Sequence, residues 1–367
     1  MKKIQMLCAL VISSAAAAAA VPLVAATVAV GTHPVSIVHV PQGGEPIVAQ
    51  IGSDGSIHLL YDLGDIPYYV KSSDGGPTFT TPLPVVNRDS RKQGLVFEGS
   101  SMTVGKSGVI YVAMSTNNWQ MKLPNVPNGL VYATLQPGAK SFTRVRSLNG
   151  RPSEGFSLAA DGKGRVTATW LANKLYANFS TDNGRTFTPN DELNPAYDPC
   201  ECCTTRSVYS PDGDLAVLYR EKSNNDRDMY LVIQDKTGHQ TRTRVSSTPW
   251  HVNACPMTYY TLTNTNYGYL AAWPTKGDIY FARLNFKGMV LPPGEVKTPG
   301  HSGMRSGLVA LSGSDGRILI AWKRNGELSW QMYNAQGIPQ GSPESVASAP
   351  VLVGNSRGTL PRALYSV

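Results

Sequence analysis

Ser314-Asp315-Gly316-Arg317-Ile318-Leu319-Ile320-Ala321-Trp322 couples a tight glycine turn to an apolar strand that ends on an aromatic side chain. The same phrase occurs five more times. It reads Ser53-Asp54-Gly55 before IHLLY, Lys106-Ser107-Gly108 before IYVAM, and Gly162-Lys163-Gly164 before VTATW. It continues as Pro211-Asp212-Gly213 before LAVLY and Asn266-Tyr267-Gly268 before LAAW. The turn glycines Gly55, Gly108, Gly164, Gly213, Gly268 and Gly316 follow one another at intervals of 53, 56, 49, 55 and 48 residues. Gly, Asp and Asn supply turns, and alternating β-branched and aromatic residues supply strands. A unit of about 50 residues has room for a four-stranded sheet, and such a unit repeated in one phase is a propeller blade. Six glycines therefore predict an all-β fold, a six-bladed β-propeller of four-stranded antiparallel blades.

In each blade the segment ahead of the glycine should be the innermost strand, facing the central channel. Ten residues before the glycines stand Glu45, Glu98, Glu154, Cys203 and, in the sixth unit, Ser306 beside Arg305; Cys255 lies thirteen residues before Gly268. Acidic, thiol and guanidinium groups thus recur at one level, the start of the inner strand.

The flanks of the chain are read separately. Lys2 and Lys3 precede an apolar, alanine-rich run that ends near Ala26, the pattern of a secretory signal. Residues 1–26 are expected to leave with Cys8, with 27–367 forming one propeller domain in the periplasm or outside the cell. No later segment is apolar enough to span a bilayer. The net charge is +8, but it is dispersed with no basic run, which argues against a nucleic-acid partner. A monomer that attracts small anionic ligands is the expectation.

Two octapeptides are more specific. Ser72-Ser73-Asp74-Gly75-Gly76-Pro77-Thr78-Phe79 and Ser180-Thr181-Asp182-Asn183-Gly184-Arg185-Thr186-Phe187 both read S-x-D-x-G-x-T-F. In such a turn the carboxylate accepts backbone N–H groups, the glycine takes positive φ and the aromatic packs into the blade. The pattern resembles the Asp box of sialidases and related BNR-repeat proteins, with degenerate copies at 135–142 and 233–241. The resemblance implies a propeller in which the boxes, Ser72, Asp74, Gly76 and Phe79 in one and Ser180, Asp182, Gly184 and Phe187 in the other, are structural turns on the outer strands.

Sialidase chemistry in that family also implies three arginines for the substrate carboxylate, a Tyr nucleophile activated by a Glu, and an Asp acid. The family's Phe/Tyr-Arg-Ile-Pro motif has no counterpart before Glu45, where the chain reads Val40-Pro41-Gln42-Gly43-Gly44. The expectation is therefore a sialidase-like protein that binds a ligand, such as an acidic glycan, at the channel mouth. Arg220, Arg305, Glu98, Glu154 and Tyr259 are the candidate catalytic groups, and Arg206, Arg227, Asp228, Trp250 and His251 the candidate ligand-binding groups. A glycoside hydrolase acting on terminal acidic sugars is the alternative reading.

The most unusual segment is Asp198-Pro199-Cys200-Glu201-Cys202-Cys203, matched by Trp250-His251-Val252-Asn253-Ala254-Cys255-Pro256-Met257. Together they resemble a subset of bacterial sialidase-like proteins. The two runs precede neighbouring inner strands, so Cys200, Cys202, Cys203 and Cys255 should meet near the channel. Three outcomes are open. Disulfides could fasten blade four to blade five, with one bridge reaching Cys255 and Cys200 closed locally. A thiol-held metal, copper or zinc, with help from His251 or Met257, would make the protein a periplasmic metal binder. Thiol redox chemistry is the third, with the run reading as C-x-C-C and not as C-x-x-C. No P-loop, dinucleotide fingerprint, H-E-x-x-H or G-x-S-x-G is present.

Overall fold

The protein is described by a computed structural model covering residues 9–12, 27–28, 35–64, 66–86, 96–124, 126–304, 307–324 and 327–347. Most of the expected signal segment, Arg305 and the segment 348–367 lie outside these residues.

The chain forms six four-stranded antiparallel sheets, each built from consecutive strands paired in sequence order. The innermost strands are Glu45–Ile51, Phe97–Val104, Phe156–Ala160, Thr205–Tyr209, Thr261–Thr265 and Leu308–Ser312. Each repeated glycine turn leads into the second strand of a blade. All six turn glycines have positive φ, from +78° at Gly55 to +148° at Gly268, a conformation in which a Cβ would be strained.

Burial follows from where a strand sits in its blade. Second strands such as Ile110–Thr116 and Leu215–Arg220 are buried along their whole length. Both faces are covered by neighbouring blades, so their sequences are almost continuously apolar. The inner strand Thr205–Tyr209 alternates between buried and half-buried residues, one face meeting the channel. The fourth strand Gln240–Arg244 is polar and partly open. The core is therefore a series of layers between blades. Leu59, Met102, Val112 and Val131 join blades one and two, and Leu218, Met229, Tyr269 and Trp273 join blades four and five. Burial of such apolar surface contributes about 25 cal/mol per Å².

Both Asp-box octapeptides lie between the third and fourth strands of their blades. Asp182 Oδ1 accepts from the backbone N–H of Arg185 and Thr186 at 2.9 Å, and Oδ2 accepts from Thr186 Oγ1 at 2.6 Å. Ser180 Oγ donates to Asp182 and accepts from Gly184 N–H, and Phe187 meets Tyr132 edge-on. The Asp74 turn repeats this pattern with Ser72, Gly76 and Thr78, and Phe79 packs on the first interblade layer.

Among the described residues no strand from ahead of Gly44 completes a blade, and the segment after Ala349 lies outside them. Blade six is completed by Pro339–Ala347, while Val35–His39 pairs with Ala9–Ile12 and Thr27–Val28 in a separate small sheet. Four consecutive strands satisfy every blade, so none needs a strand from the opposite end of the chain. No helix among the described residues is long and apolar enough to cross a membrane.

Candidate functional site

Side chains from five blades converge on one cavity of about 470 Å³ around the inner strands. Gln50 comes from blade one, Glu98 and Ser100 from blade two, Glu154 and Ser157 from blade three, Arg206 and Ser207 from blade four, and Tyr259 and Thr261 from blade five. Cys202 and Cys203 form part of the same wall. The ten-residue step back from each glycine thus located Glu98, Glu154 and Cys203. Glu45 does begin its strand but is not among the lining residues.

Backbone geometry places these groups. A register irregularity between Phe97 and Ser100 carries Glu98 at the head of its strand, where it is exposed. Glu154 N–H donates to Leu171 O at 2.9 Å, which ties its loop to the second strand of blade three. Gly155 follows, and a Cβ there would lie 2.1 Å from Cys203 O and 2.2 Å from Thr204 Cα. Only glycine allows the Glu154 loop to rest directly on the cysteine turn. Arg206 donates to Thr204 Oγ1 at 3.1 Å and to Thr205 O at 2.9 Å, holding its guanidinium against the start of the strand.

The polar floor of this wall had no signal in the repeat pattern. Ser157 Oγ lies 2.9 Å from both Thr205 Oγ1 and Ser207 Oγ and 3.0 Å from Thr169 Oγ1, bridging blades three and four. Gln50 links blades one and two by donating to Met102 O and accepting from Val104 N–H.

The second group of candidates lies apart from the cavity lining, around a buried guanidinium. Arg220 is fully buried, which corrects the expectation that it faces a ligand. Its Nη1 donates to Arg227 O, and its Nη2 to Pro274 O at 2.6 Å and Thr258 Oγ1 at 3.3 Å. The guanidinium carbon lies 4.8 Å from the centroid of the Trp250 ring. Arg227 is buried too and caps the carbonyls of Asn224 and Asp226. Asp228 pairs with Arg244 at 2.8 Å, and exposed His251 meets Asp226 at 3.0 Å. Arg227, Asp228, Trp250 and His251 thus organise the loops of blade four and the chain running to blade five. Tyr260, beside Tyr259, is also fully buried; its hydroxyl donates to Thr204 O and accepts from Arg220 N–H at 3.2 Å.

The cysteine turn abuts Arg220. Cys200 N–H donates to Arg220 O at 2.8 Å, and Cys203 N–H to Cys200 O at 3.0 Å, so 200–203 is one tight turn. Cys202 and Cys255 form a disulfide, which joins the blade-four turn to the loop before blade five. Cys200 and Cys203 are buried thiols 3.5 Å apart. They stand at C-x-x-C spacing, which reading the run as C-x-C-C overlooked. Cys200 Sγ is also 3.8 Å from Cys202 Sγ and 4.0 Å from Cys255 Sγ. All four sulfurs lie within 4.8 Å of one another, so the cluster has the donors to hold a metal ion as well as to form disulfides. A hydrogen bond with Cys200, aided by the Arg220 cation, lowers the Cys203 thiol against the effect of burial. The same hydrogen bond, together with burial, pushes Cys200 up.

Fold and site together define a six-bladed propeller with a polar channel cavity walled on one side by thiols. No family model matches the sequence, and no curated protein matches it. Among solved structures the chain is similar to a polysaccharide lyase of the PL25 family, an ulvan lyase, bound to -[GlcA(1-4)Rha3S]-. That comparison has a TM-score of 0.53 at 14% identity, covering 81% of this chain and 83% of that one. A second ulvan lyase structure gives 0.52 at 13% identity over the same shares. The NanB sialidase from Streptococcus pneumoniae gives 0.49 at 9% identity, covering 77% of this chain and 65% of that one. Likeness at these identities shows the fold alone.

Proposed function

We propose that this is an exported propeller that binds the end of an acidic saccharide in its channel cavity. The observation that carries this reading is convergence: Glu98, Glu154, Arg206 and Tyr259 come from four blades and meet in one cavity of about 470 Å³. A concave site of a few hundred cubic ångströms, with a few polar groups set among apolar ones, suits a small ligand. Arg206 supplies a cation for a carboxylate or sulfate. Glu98 and Glu154 accept from sugar hydroxyls, and the ring of Tyr259 offers a face for a pyranose. The ulvan lyase of the same fold, bound to a glucuronate-containing saccharide, makes uronate oligosaccharides the first ligands to test.

The test is calorimetric titration with uronate and sialylated oligosaccharides. Saturable binding, weakened about tenfold or more in Arg206→Ala, supports the reading. No saturable binding across the panel sinks it. Hydrolysis of terminal acidic sugars is the alternative for the same cavity. It requires release of the fluorophore from a 4-methylumbelliferyl sialoside, with loss of turnover in Glu98→Gln or Glu154→Gln.

A second reading is favoured by the clustering of four sulfurs within 4.8 Å of one another, donors suited to a single copper(I) or zinc(II) ion.

A further inference from the structure

Resting on that second reading, we propose that the four-sulfur cluster is a redox-gated centre for one thiophilic d10 cation, zinc(II) or copper(I). The Cys202–Cys255 disulfide is its closed state, and Arg220 is the built-in counter-charge of its open state.

Geometry is the first support. With Zn–S bonds of about 2.3 Å, the sulfurs of a tetrahedral site stand about 3.8 Å apart. Cys200 Sγ lies 3.5, 3.8 and 4.0 Å from the other three. A clasp between blades four and five needs only two cysteines. The other two, Cys200 and Cys203, are buried directly against it.

Charge is the second. A buried cation is costly unless it is paired. Arg220 has no carboxylate within ion-pairing distance among the described residues; it meets two carbonyls, a threonine and the Trp250 face, and its Nε has no hydrogen-bond partner. Four thiolates around zinc(II) carry a net charge of −2, and three around copper(I) also carry −2. Either centre places a net negative charge beside this guanidinium.

Access is the third. Cys202 and Cys203 line the channel cavity, and Cys202 and Cys255 are only half-buried. A small dithiol can therefore reach the bridge from the channel. One thiolate of that dithiol attacks a bridge sulfur, and the other cysteine leaves as thiolate and takes up a proton. The second thiol of the reductant then displaces the mixed disulfide. Two electrons and two protons enter the protein, and the reductant becomes its own disulfide. The ion then binds, displacing one proton from each thiol that ligates it. In the reverse direction the disulfide form of the same small dithiol accepts the two electrons and two protons by thiol–disulfide exchange, Cys202 and Cys255 are bridged again, and the ion, losing two ligands, is expelled.

The experiment compares the full chain in its disulfide form with the chain reduced by a phosphine and desalted anaerobically. Zinc(II) is titrated against a chromophoric chelator and copper(I) against bicinchoninate; cobalt(II) reports a tetrathiolate by its visible spectrum. The expected result is one equivalent bound at least about 100-fold more tightly by the reduced chain. In Cys202→Ser/Cys255→Ser both treatments should give the same weak binding. Equal tight binding before and after reduction overturns the gate while leaving the metal reading intact. No binding in either state removes the metal reading and the gate with it. Reduced Arg220→Gln should bind about tenfold more weakly, and Arg220→Lys should recover most of that loss. If Arg220→Gln does not fold, the Lys variant decides: affinity falling to the level of the cysteine variants despite its retained charge overturns the counter-charge role.

Discussion

His58 shows how a single side chain is constrained by its neighbours. It is buried, with Nδ1 2.7 Å from Tyr69 Oη and Nε2 3.0 Å from Ser56 Oγ, and burial holds its pKa down at about 4. An unfolded chain takes up that proton near 6.5, so the folded state gives up stability as pH falls from about 6.5 towards 4. The loss by pH 4 is up to about 3 kcal/mol, and above 6.5 this residue contributes no pH dependence. Denaturant midpoints of wild type and His58→Gln measured across that window should converge as pH falls; parallel curves would exclude the effect. Arg220 belongs to the same scale. Its donors are spent on carbonyls and Thr258, so Arg220→Met leaves Pro274 O and Arg227 O without these donors. We expect a loss of about 2–4 kcal/mol in urea unfolding, with the channel-facing residues unaltered. A composition pattern cannot tell an arginine that faces a ligand from one that braces a loop. Arg206 follows Thr205 and Arg220 follows Tyr219 on neighbouring strands of blade four, and only the packing of blade five over blade four separates their fates.

At the scale of elements, the turns are where sequence and structure correspond most closely. The S-x-D-x-G-x-T-F boxes have a single geometry because the carboxylate, the serine hydroxyl and the positive-φ glycine satisfy one another locally. Asp182→Ala removes four hydrogen bonds from its turn and should cost about 1–2 kcal/mol by thermal or urea unfolding. Asp182→Asn, which keeps an acceptor, should cost less. Gly155 is a different case, since its Cβ would strike the backbone of Cys203 and Thr204 in the next blade. Gly155→Ala should therefore both destabilise the fold and shift ligand affinity in the cavity, measurable in the same calorimetric titration. The glutamates at the inner-strand starts were legible because a propeller repeats its register. The Ser157, Thr169, Thr205 and Ser207 hydroxyl cluster was not, because short polar residues on a strand look alike whether they face a channel, a partner or solvent.

For the molecule as a whole, the repeat interval was enough to read the number of blades and their strand order. It could not show how the ring closes, because blade six is completed locally by Pro339–Ala347 and no long-range pairing leaves a mark in the repeat. The register brought the four sulfurs together, but it could not reveal which cysteine of the turn bonds to Cys255, since that depends on a half-buried loop six residues ahead of its strand. The bridge from Cys202 to Cys255 spans 53 residues, and closing a loop of that length contributes about 4 kcal/mol in the chain-entropy description. Reduction without added metal should lower the denaturation temperature by several degrees, and thermal scans of oxidised and reduced protein test this. The seam between blades four and five has a further consequence. Among the described residues it is the only seam fastened by a covalent bond that reducing agents cut, so it is where the annulus would first gape. A protease added to reduced, metal-free protein should nick the 248–258 stretch before any other loop, turning a closed washer into a split one whose bore can widen to admit a bulkier chain.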